Sequence, residues 1–576
     1  MKQRSALAET VTLAAFCAFL LFFGLGAFGL VGADEPRYAQ IAREMLARHD
    51  WVVPVLNGKP WLEKPVLYYW EAMVSYSVFG VSDWAAKIPG AFSASTMVIA
   101  IYVFWKRVTK SITTKDTEGH DSTSAVPQIG SSAVALDAAL MTLATAGVIG
   151  YGRAASTDMP LAANFTIGML CWAARYAEPE TPNENGWQTR FHPRLLLFYS
   201  FMALATLAKG PVAPGLAAII IVIFAAVRRD AKVIWQTLWW PGIAVYLAVA
   251  APWFWLVQQR TGNFFRFFFL EQNFQRYTSN TYHHPQPFWF YIPIMLLALA
   301  PWTVWAVCAW IASLRGVAAS RRATQPATDT PFTQLEQLLV IWAIVPVVFF
   351  SFSGSKLPGY ILPAVPACTL LAAMGIDKKM RSGGRQTLLV LVHSAIAASL
   401  VAAVIIAPYK TLRVPVTTAA IVAATVAGLA IFAGITITLM RRGLPWLRFV
   451  TLVPVVLAVA YILRIGAPAF DAKLSARPVA QELARIETKP ERVAVLHVKR
   501  ELEYGLNFYR NQPIASYDRA EIPVGEHLVV ARSGSESELT ELVGGRRVVR
   551  LGEFPPQQVE FFWVTNPMPP MHMPMR

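Results

Sequence analysis

Apolar residues are grouped along most of the chain in runs separated by short polar and charged stretches. The runs contain about 20 residues, enough for an α-helix to cross a hydrocarbon layer of roughly 30 Å. The pattern predicts an α-helical polytopic membrane protein with about 13 transmembrane helices. The centres of the predicted helices are Leu21, Met97, Leu140, Gly168, Met202, Ile220, Leu247, Leu297, Ile344, Ala367, Ala397, Leu429 and Val456.

The pattern changes after Gly466, where short amphipathic helices alternate with short apolar strands. Helices are predicted over 475–486, 501–509 and 536–543, and strands over 492–498, 527–531, 548–551 and 559–564. The chain is therefore predicted to have two parts. Residues 1–466 form a transmembrane domain with a long first loop at about 33–86, and residues 467–576 form a small α/β domain outside the membrane. No nucleotide-binding glycine loop is evident in this C-terminal domain.

The first loop begins with Asp34 and continues as an amphipathic helix. Tyr38, Ile41, Met45 and Leu46 fall on one side of it. This spacing predicts a helix that lies on the membrane surface.

Basic residues give the orientation of the predicted helices. Lys and Arg number 51 against 35 Asp and Glu, for a net charge of +16, and many of them lie in alternate short loops. Cytoplasmic loops collect Lys and Arg, so the N-terminus is placed inside and the C-terminal domain in the periplasm of a bacterial inner (plasma) membrane. The basic residues of the predicted inside segments are Lys2, Arg4, Lys106, Arg107, Lys110, Lys115, Arg190, Arg194, Arg228, Arg229, Lys232, Arg315, Arg321, Arg322, Lys378, Lys379, Arg381, Arg385, Arg441 and Arg442.

The composition supports a membrane protein and argues against other classes. Hydrophobic residues make up 55% and charged residues 15%, against about 25% charged residues in soluble domains. The four cysteines lie inside apolar runs, which argues against a disulfide scaffold. Topology explains much of the positive charge, and the rest is available for anionic ligands; no nucleic-acid partner is predicted.

Carboxylates occur at two of the predicted outside helix starts. Asp34 and Glu35 precede Pro36, and Asp158 comes two residues before Pro160. Helix capping explains such an acid as well as catalysis does. Their placement beyond the outer ends of neighbouring helices would allow them to share one cavity.

Two lysines lie in predicted outside turns, whereas the basic residues of the other short loops lie inside. Lys209 lies in an AKGP turn and Lys356 in an SKLPGY turn that also holds Tyr360. We interpret both lysines as phosphate-binding residues, because an ammonium at the membrane edge needs an anionic partner. The alternative is that each lysine simply extends to the lipid headgroups. Further basic candidates for substrate binding on the outside are Lys59, Lys64, Arg153 and Arg276.

The adjacent His283 and His284, with Glu63, are candidate ligands of a divalent metal such as zinc. Neighbouring histidines are more often ordinary hydrogen-bonding residues.

Group transfer outside the inner membrane calls for a donor already carried on lipid, because nucleotide-activated donors are not supplied there. A sugar carried on polyprenyl phosphate would fit an outward-facing cavity that has an apolar groove, basic residues and carboxylates. The cations would stabilise the departing phosphate, and a carboxylate would orient the sugar or act as general base. A phosphate acceptor, already anionic, would need little help from a base. Such a transfer requires no cofactor.

The chain resembles the aminoarabinose transferase family of C-type glycosyltransferases, which are related to protein O-mannosyltransferases. The resemblance rests on Asp34-Glu35, the NGKPWLEKPVLYYW stretch, Thr157-Asp158, AKGP and SKLPGYILP, and it covers the membrane part and the layout of the C-terminal domain. The EKP and SKLPGY segments are the more specific motifs, since the acidic pair is common to many C-type enzymes.

The resemblance implies transfer of 4-amino-4-deoxy-L-arabinose from undecaprenyl phosphate to a lipid A phosphate, with inversion and with resistance to polymyxin as the outcome. It implies that Asp34 and Asp158 lie near the sugar and acceptor, with Glu35 beside them. It further implies that Lys64, Lys209, Lys356, Tyr360 and Arg276 face the polyprenyl phosphate.

Two other functions remain open at this point. A related enzyme could use a different acceptor, such as a protein hydroxyl, and would then need a true general base. A transporter or flippase would require ionisable residues at mid-membrane depth or paired broken helices, whereas nearly all charges lie at helix ends.

Overall fold

A computed structural model describes residues 2–118, 132–177, 192–275, 286–322, 331–487 and 491–566. Three of the predicted site residues, Arg276, His283 and His284, lie outside the described residues.

The membrane part is helical. Its helices are α1 (Lys2–Cys17), α2 (Asp34–Ala47), α3 (Leu67–Phe79), α4 (Asp83–Glu118), α5 (Ser132–Leu143), α6 (Ala146–Gly152), α7 (Asp158–Ala177), α8 (Pro193–Lys209), α9 (Val212–Arg228), α10 (Lys232–Thr237), α11 (Trp240–Thr261), α12 (Tyr291–Ala298), α13 (Thr303–Arg322), α14 (Pro331–Ser351), α15 (Val365–Ser382), α16 (Thr387–Leu412), α17 (Thr418–Arg442), α18 (Leu447–Tyr461) and α19 (Ala467–Leu474). Short π or 3₁₀ segments are Ala18–Phe22, Arg266–Gln275, Phe288–Phe290, Pro358–Ala364, Leu444–Trp446 and Ile462–Gly466, and a two-stranded hairpin, β1 (Val55–Leu56) and β2 (Lys59–Pro60), follows α2.

Every predicted helix centre falls on helical residues, and the polytopic helical fold is confirmed. The predicted figure of about 13 crossings is not confirmed. Within the described ranges, seven helices are long and apolar enough to span a membrane, or up to nine if two bent pairs count as one span each. The bent pairs are α5 with α6, at 59°, and Phe288–Ala298 with Thr303–Gly316, at 118°, while Ala6–Phe22 and α9 are apolar but too short to count. The helices at the predicted centres Gly168 and Met202 are not among the seven.

Charged pairs link several of the predicted inside segments to one another. Lys378 near the end of α15 lies 2.6 Å from Glu336 near the start of α14, and Arg448 at the start of α18 lies 2.7 Å from Asp137 near the start of α5. Each pair joins two helix ends that the charge pattern predicts to lie on the same side of the membrane. Which side of the bilayer these ends face stays a prediction.

Helix α2 differs from its predicted position on the membrane surface. Its apolar face, with Tyr38, Ile41 and Met45, is buried in the protein core between α3 and the C-terminal domain. The Arg43 guanidinium also donates to the Phe508 carbonyl at 2.7 Å. The helix that begins the candidate site is thus held by both parts of the chain.

The C-terminal domain has the predicted α/β architecture. Its elements are α20 (Arg477–Ile486), β3 (Val493–Leu496), α21 (Arg500–Arg510), β4 (Ala515–Ser516), β5 (His527–Arg532), α22 (Glu536–Leu542), β6 (Val548–Phe554) and β7 (Val559–Val564). The five strands lie in the order β4-β3-β5-β7-β6, with β3 parallel to both neighbours and β7 antiparallel to both of its own. Apolar clusters cover each face of the sheet, one with α20 and α21 and the other with α22.

The predicted boundary at residue 466 lies within continuous helical structure that runs from α18 through the π segment Ile462–Gly466 into α19. The division at this residue stays a prediction. The sheet itself begins only at β3.

His497 joins three elements of the C-terminal domain and gives it a pH-dependent contact. Its ring nitrogens lie 2.7 Å from Asp518 and 2.8 Å from Glu538. The hydrogen bond to Glu538, aided by the charge of Asp518, raises the pKa of His497 above its usual value. A raised pKa means that the contact contributes stability below about pH 6.5 and loses it as pH rises through the folded-state pKa.

We expect amide exchange around His497 and α22 to be slower at about pH 6 than at about pH 9, after correction for the intrinsic exchange rate. His497→Gln should remove that difference, and a difference that persists in the variant would contradict the assignment.

Candidate active site

An ion pair between two helices of the membrane part lies at the centre of the candidate site. Asp158 is the first residue of α7 and Lys209 the last of α8, and the Lys209 ammonium bonds to the Asp158 carboxylate. Ser156 Oγ donates to the same carboxylate at 2.9 Å. The side chains are only 19% and 13% exposed, so the charges depend on each other for solvation.

The SKLPGY turn comes very close to this pair. A Cβ atom on Gly359 would lie 2.8 Å from the carboxyl carbon of Asp158, which is closer than real contacts allow. Glycine is therefore needed at this position because the backbone itself packs on the carboxylate. The close approach brings Tyr360 over Lys209, whose ammonium lies 4.7 Å from the centre of the Tyr360 ring.

A cavity of about 440 Å³ opens beside the pair. Two cations, Lys64 and Lys209, lie in its wall together with Ser353 and Ser355, and most of the remaining lining is apolar. The cavity is lined by Lys64, Leu161, Lys209, Pro211, Val212, Gly215, Phe269, Gln272, Phe349, Phe350, Ser353, Ser355 and Tyr360. This combination suits a phosphate at the lysines and a hydrocarbon chain along the apolar wall.

A second charged cluster surrounds Asp34 at the start of α2. Asp34 accepts a bond of 2.5 Å from Arg37, which also lies 3.7 Å from Glu63. The Arg37 guanidinium packs on the Trp61 ring at 5.1 Å and on Tyr504 of the C-terminal domain at 5.5 Å. The Asp34 side chain is 54% exposed, so its carboxylate is accessible to a ligand.

The two acidic clusters are close enough to share a neighbour. Burial raises the pKa of Tyr38, and the carboxylates of Asp34 and, more weakly, Asp158 raise it further. Lys64, three residues beyond Trp61, in turn acts electrostatically on Asp158. The structure places Lys64, Lys209 and Tyr360 in the cavity wall and Asp158 against Lys209, while Asp34 belongs to the neighbouring cluster and neither acid lines the cavity. That both acids serve one site stays a prediction.

Four other predicted site residues lie elsewhere. The Lys356 ammonium is buried and donates to the Ser353 carbonyl at 2.7 Å, so it fixes the turn and does not line the cavity. Lys59 is exposed on β2, where it acts electrostatically on Glu521 of the C-terminal domain. Arg153 donates to the carbonyls of Leu20, Phe23 and Gly24 at 3.1, 2.9 and 2.9 Å, so its guanidinium binds the backbone of the loop before α2.

Glu35 is the fourth. It accepts a bond from the Val31 amide at 3.2 Å, and desolvation raises its pKa although the charge of Lys87 opposes this. The carboxylate is thus directed to the loop before α2 and not to the cavity, which argues against a catalytic role.

Sequence reasoning missed Arg37, Lys87, Tyr504 and Arg477. Lys87 had a detectable signal, because it is the one charged residue in the apolar stretch 84–105. Tyr504 and Arg477 had none, since only tertiary packing brings them to α2 and its preceding loop.

Glu63 is the described member of the predicted metal site, and its carboxylate faces Arg37 at 3.7 Å. Among the described residues no group of three or more His, Cys, Asp or Glu is arranged to hold a metal ion.

Comparison with known proteins agrees with this architecture. Residues 126–268 match the family model of dolichyl-phosphate-mannose-protein mannosyltransferase. The chain is 29% identical over 368 residues to an undecaprenyl phosphate-alpha-4-amino-4-deoxy-L-arabinose arabinosyl transferase from Yersinia enterocolitica, which covers 63% of this chain and 59% of the relative. An enzyme of the same name from Yersinia pestis is 28% identical over 351 residues, covering 60% and 55%. The matched regions therefore span less than two thirds of these relatives.

Solved structures extend the likeness to the whole fold. ArnT from Cupriavidus metallidurans, in a crystal structure with undecaprenyl phosphate bound, superposes with a TM-score of 0.73 at 23% identity, covering 97% of this chain and 98% of ArnT. An archaeal oligosaccharyltransferase, AglB from Archaeoglobus fulgidus, superposes with a TM-score of 0.51 at 11% identity, covering 100% and 75%.

The chain therefore has the fold of a C-type glycosyltransferase, as predicted. Both Yersinia relatives are named as arabinosyl transferases, and the resemblance inferred from the motifs is confirmed.

Proposed function

We propose that this chain transfers 4-amino-4-deoxy-L-arabinose from undecaprenyl phosphate to a phosphate of lipid A, at the periplasmic face of a bacterial inner membrane. The observation that carries the proposal is the cavity itself. Lys64 and Lys209 lie beside a mostly apolar wall and next to Asp158, in a chain with the fold of a protein crystallised with undecaprenyl phosphate. The named relatives use the same lipid-linked sugar.

In the proposed reaction an oxygen of the acceptor phosphate attacks the anomeric carbon of the sugar from the face opposite the leaving group. The bond between that carbon and the undecaprenyl phosphate oxygen breaks, and its electron pair leaves with the phosphate. The configuration at the anomeric carbon is inverted, and no oxidant, reductant or cofactor is needed. A zinc ion held by Glu63, His283 and His284 stays a prediction on which no step depends.

The charged residues have distinct roles in this scheme. Lys64 and Lys209 stabilise the negative charge that develops on the departing phosphate, where preorganised cations act most strongly. Asp158 keeps the Lys209 ammonium in place through their ion pair. Asp34, exposed at the start of α2, orients the sugar hydroxyls; a phosphate acceptor is already an anion and requires little proton removal.

A second candidate acceptor is a protein hydroxyl. It is favoured by the match of residues 126–268 to protein mannosyltransferases. The two acceptors differ in their demand for a general base, which makes the rate of an Asp34 variant diagnostic.

Mass spectrometry of lipid A from cells with and without the chain tests the proposal. We expect a pentosamine-sized addition that requires the chain and that decreases about tenfold or more in Lys64→Met, because a charge-assisted bond to phosphate contributes about 1.5–3 kcal/mol. Lys59→Met is the matched control, since Lys59 precedes Lys64 by five residues but lies outside the cavity. Identical spectra with and without the chain would exclude lipid A as acceptor.

A further inference from the structure

The loop between α1 and α2 is bound along its backbone by basic side chains. Every carbonyl oxygen from Phe23 to Gly29 accepts a bond from one of three cations. We call Lys87, Arg153 and Arg477 the loop-binding cations. They come from α4, from the turn after α6 and from the start of the C-terminal domain, so three separated parts of the chain converge on one loop.

Each cation binds a different set of carbonyls. Arg153 binds those of Phe23 and Gly24 as well as Leu20. The Lys87 ammonium binds those of Leu25, Phe28 and Gly29 at 3.4, 2.9 and 3.0 Å. Arg477 binds the remaining two, at Gly26 and Ala27, at 3.0 and 3.2 Å. Consecutive carbonyls are thus distributed among the three, which fixes the path of the loop and not only its ends.

The amides that follow are also bound. Gly29 donates to Asp471 at 2.7 Å, Leu30 to the Tyr509 hydroxyl at 2.8 Å and Val31 to Glu35 at 3.2 Å. Asp471 and Tyr509 lie beyond residue 466, so the C-terminal part holds the loop from its amide side as well. A Cβ atom on Gly29 would lie 2.2 Å from Ser475 Oγ and 2.4 Å from the Tyr509 hydroxyl, so this contact leaves no space for a side chain.

Burying these charges is costly, and their surroundings show what compensates. Lys87 is 1% exposed, and three carbonyls together with the nearby charges of Glu35 and Asp83 replace its water. Arg477 bonds Asp471 at 2.7 Å and Asp83 at 2.9 Å while it holds the loop. Because hydrogen bonds are directional, a lysine and two arginines bound to successive carbonyls constrain the path of the loop strongly.

Asp34 begins α2 three residues after Val31, and Glu35 accepts from the Val31 amide and is acted on by the charge of Lys87. Whatever fixes the loop therefore fixes the first turn of α2. We propose that Lys87, Arg153 and Arg477 are positioning residues that hold Asp34 in its reactive place, and that Arg477 makes the C-terminal domain part of the catalytic unit. This inference rests on the proposed function for the role of Asp34, but the loop contacts can be tested without any activity.

The first experiment measures amide exchange in the full-length protein in nanodiscs. Lys87→Met and Arg477→Met should accelerate exchange of residues 23–33 by about tenfold or more, because the bonds that order the loop are lost. Lys473→Met is the matched control: this lysine lies near the same junction but donates to the Pro556 carbonyl. Unchanged exchange over residues 23–33 in both variants would overturn the inference, whatever the chain transfers.

The second experiment separates positioning from general loss of structure. Lys87→Met and Arg477→Met should lower kcat about 10- to 100-fold, as expected for a misplaced group, while the Kd for undecaprenyl phosphate changes less than about twofold. When Asp34→Asn is already present, the same substitutions should lower kcat by less than about a further twofold, because they act through Asp34. Equal losses in both backgrounds, or weakened undecaprenyl phosphate binding, would show a merely structural role and overturn the inference. If the unaltered chain transfers no sugar, the proposed function fails, and the exchange measurement still decides whether the loop is held.

Discussion

Lys209→Met is expected to destabilise the protein by about 3 kcal/mol and to abolish detectable transfer, because it leaves the Asp158 carboxylate partly buried without its counter-charge. The two groups bond directly and are 13% and 19% exposed. Asp158 retains only the Ser156 hydroxyl as a described hydrogen-bond partner in the variant. Asp158→Asn should destabilise to a similar extent by isolating the Lys209 ammonium.

The double variant separates stability from chemistry. Asp158→Asn with Lys209→Met removes both charges, so most of the lost stability should return because no uncompensated charge remains. Transfer should stay absent, because the cavity has lost one of its two lysines. Thermal unfolding and transfer are measured on the same preparations. A double variant as unstable as either single one would contradict the coupling between the two charges.

Lys378→Met supplies the matched control for the single substitutions. Lys378 also pairs with a carboxylate, that of Glu336, but it is 54% exposed and lies at the other end of the bundle. Exposed pairs contribute little, so the expected change is below about 1 kcal/mol with transfer intact. Equal effects of Lys209→Met and Lys378→Met would show that the site pair has no special role in stability.

The positions of the helices could be predicted because each apolar run carries its own signal. Even the alternation in the C-terminal domain, from α20 to β7, follows from local patterning, and only the two-residue strand β4 was missed. The number of crossings could not be predicted in the same way. A bend of 59° between α5 and α6 depends on packing against neighbours and leaves the apolar run unbroken in the sequence.

The candidate site could likewise be predicted only where a local sequence signal exists. Asp34, Asp158, Lys64, Lys209 and Tyr360 were recognisable because they are polar residues beside prolines and glycines at the ends of apolar runs. The direction of each side chain was not recognisable. Lys356 resembles Lys209 in sequence setting, yet one ammonium binds a backbone carbonyl of its own turn and the other binds a carboxylate across two helices. Arg477 reaches the loop before α2 from about 450 residues away, and no local pattern encodes such a contact.

Asp34→Asn is expected to lower kcat by about 100-fold, with little change in the Kd for undecaprenyl phosphate, if the acceptor is a phosphate. An anionic acceptor oxygen attacks without losing a proton, so the variant loses orientation of the sugar but not a necessary base. A hydroxyl acceptor must be deprotonated as it attacks, and the same substitution would then add the loss of a general base, which contributes about 10²- to 10⁴-fold by itself. The size of the effect therefore reports on the acceptor.

The matched control is Asp50→Asn, which removes a carboxylate from the same loop. Asp50 lies beyond the far end of α2 from Asp34 and pairs there with Arg260 at 2.9 Å, so the rate of the variant should stay within about twofold of the unaltered chain. Single-turnover rates with excess enzyme separate the chemical step from product release. A loss near 10⁴-fold for Asp34→Asn, above what misorientation alone explains, would favour the protein hydroxyl over the lipid A phosphate. A rate unchanged by Asp34→Asn would remove Asp34 from the site and leave the Asp158–Lys209 pair as the centre of the reaction.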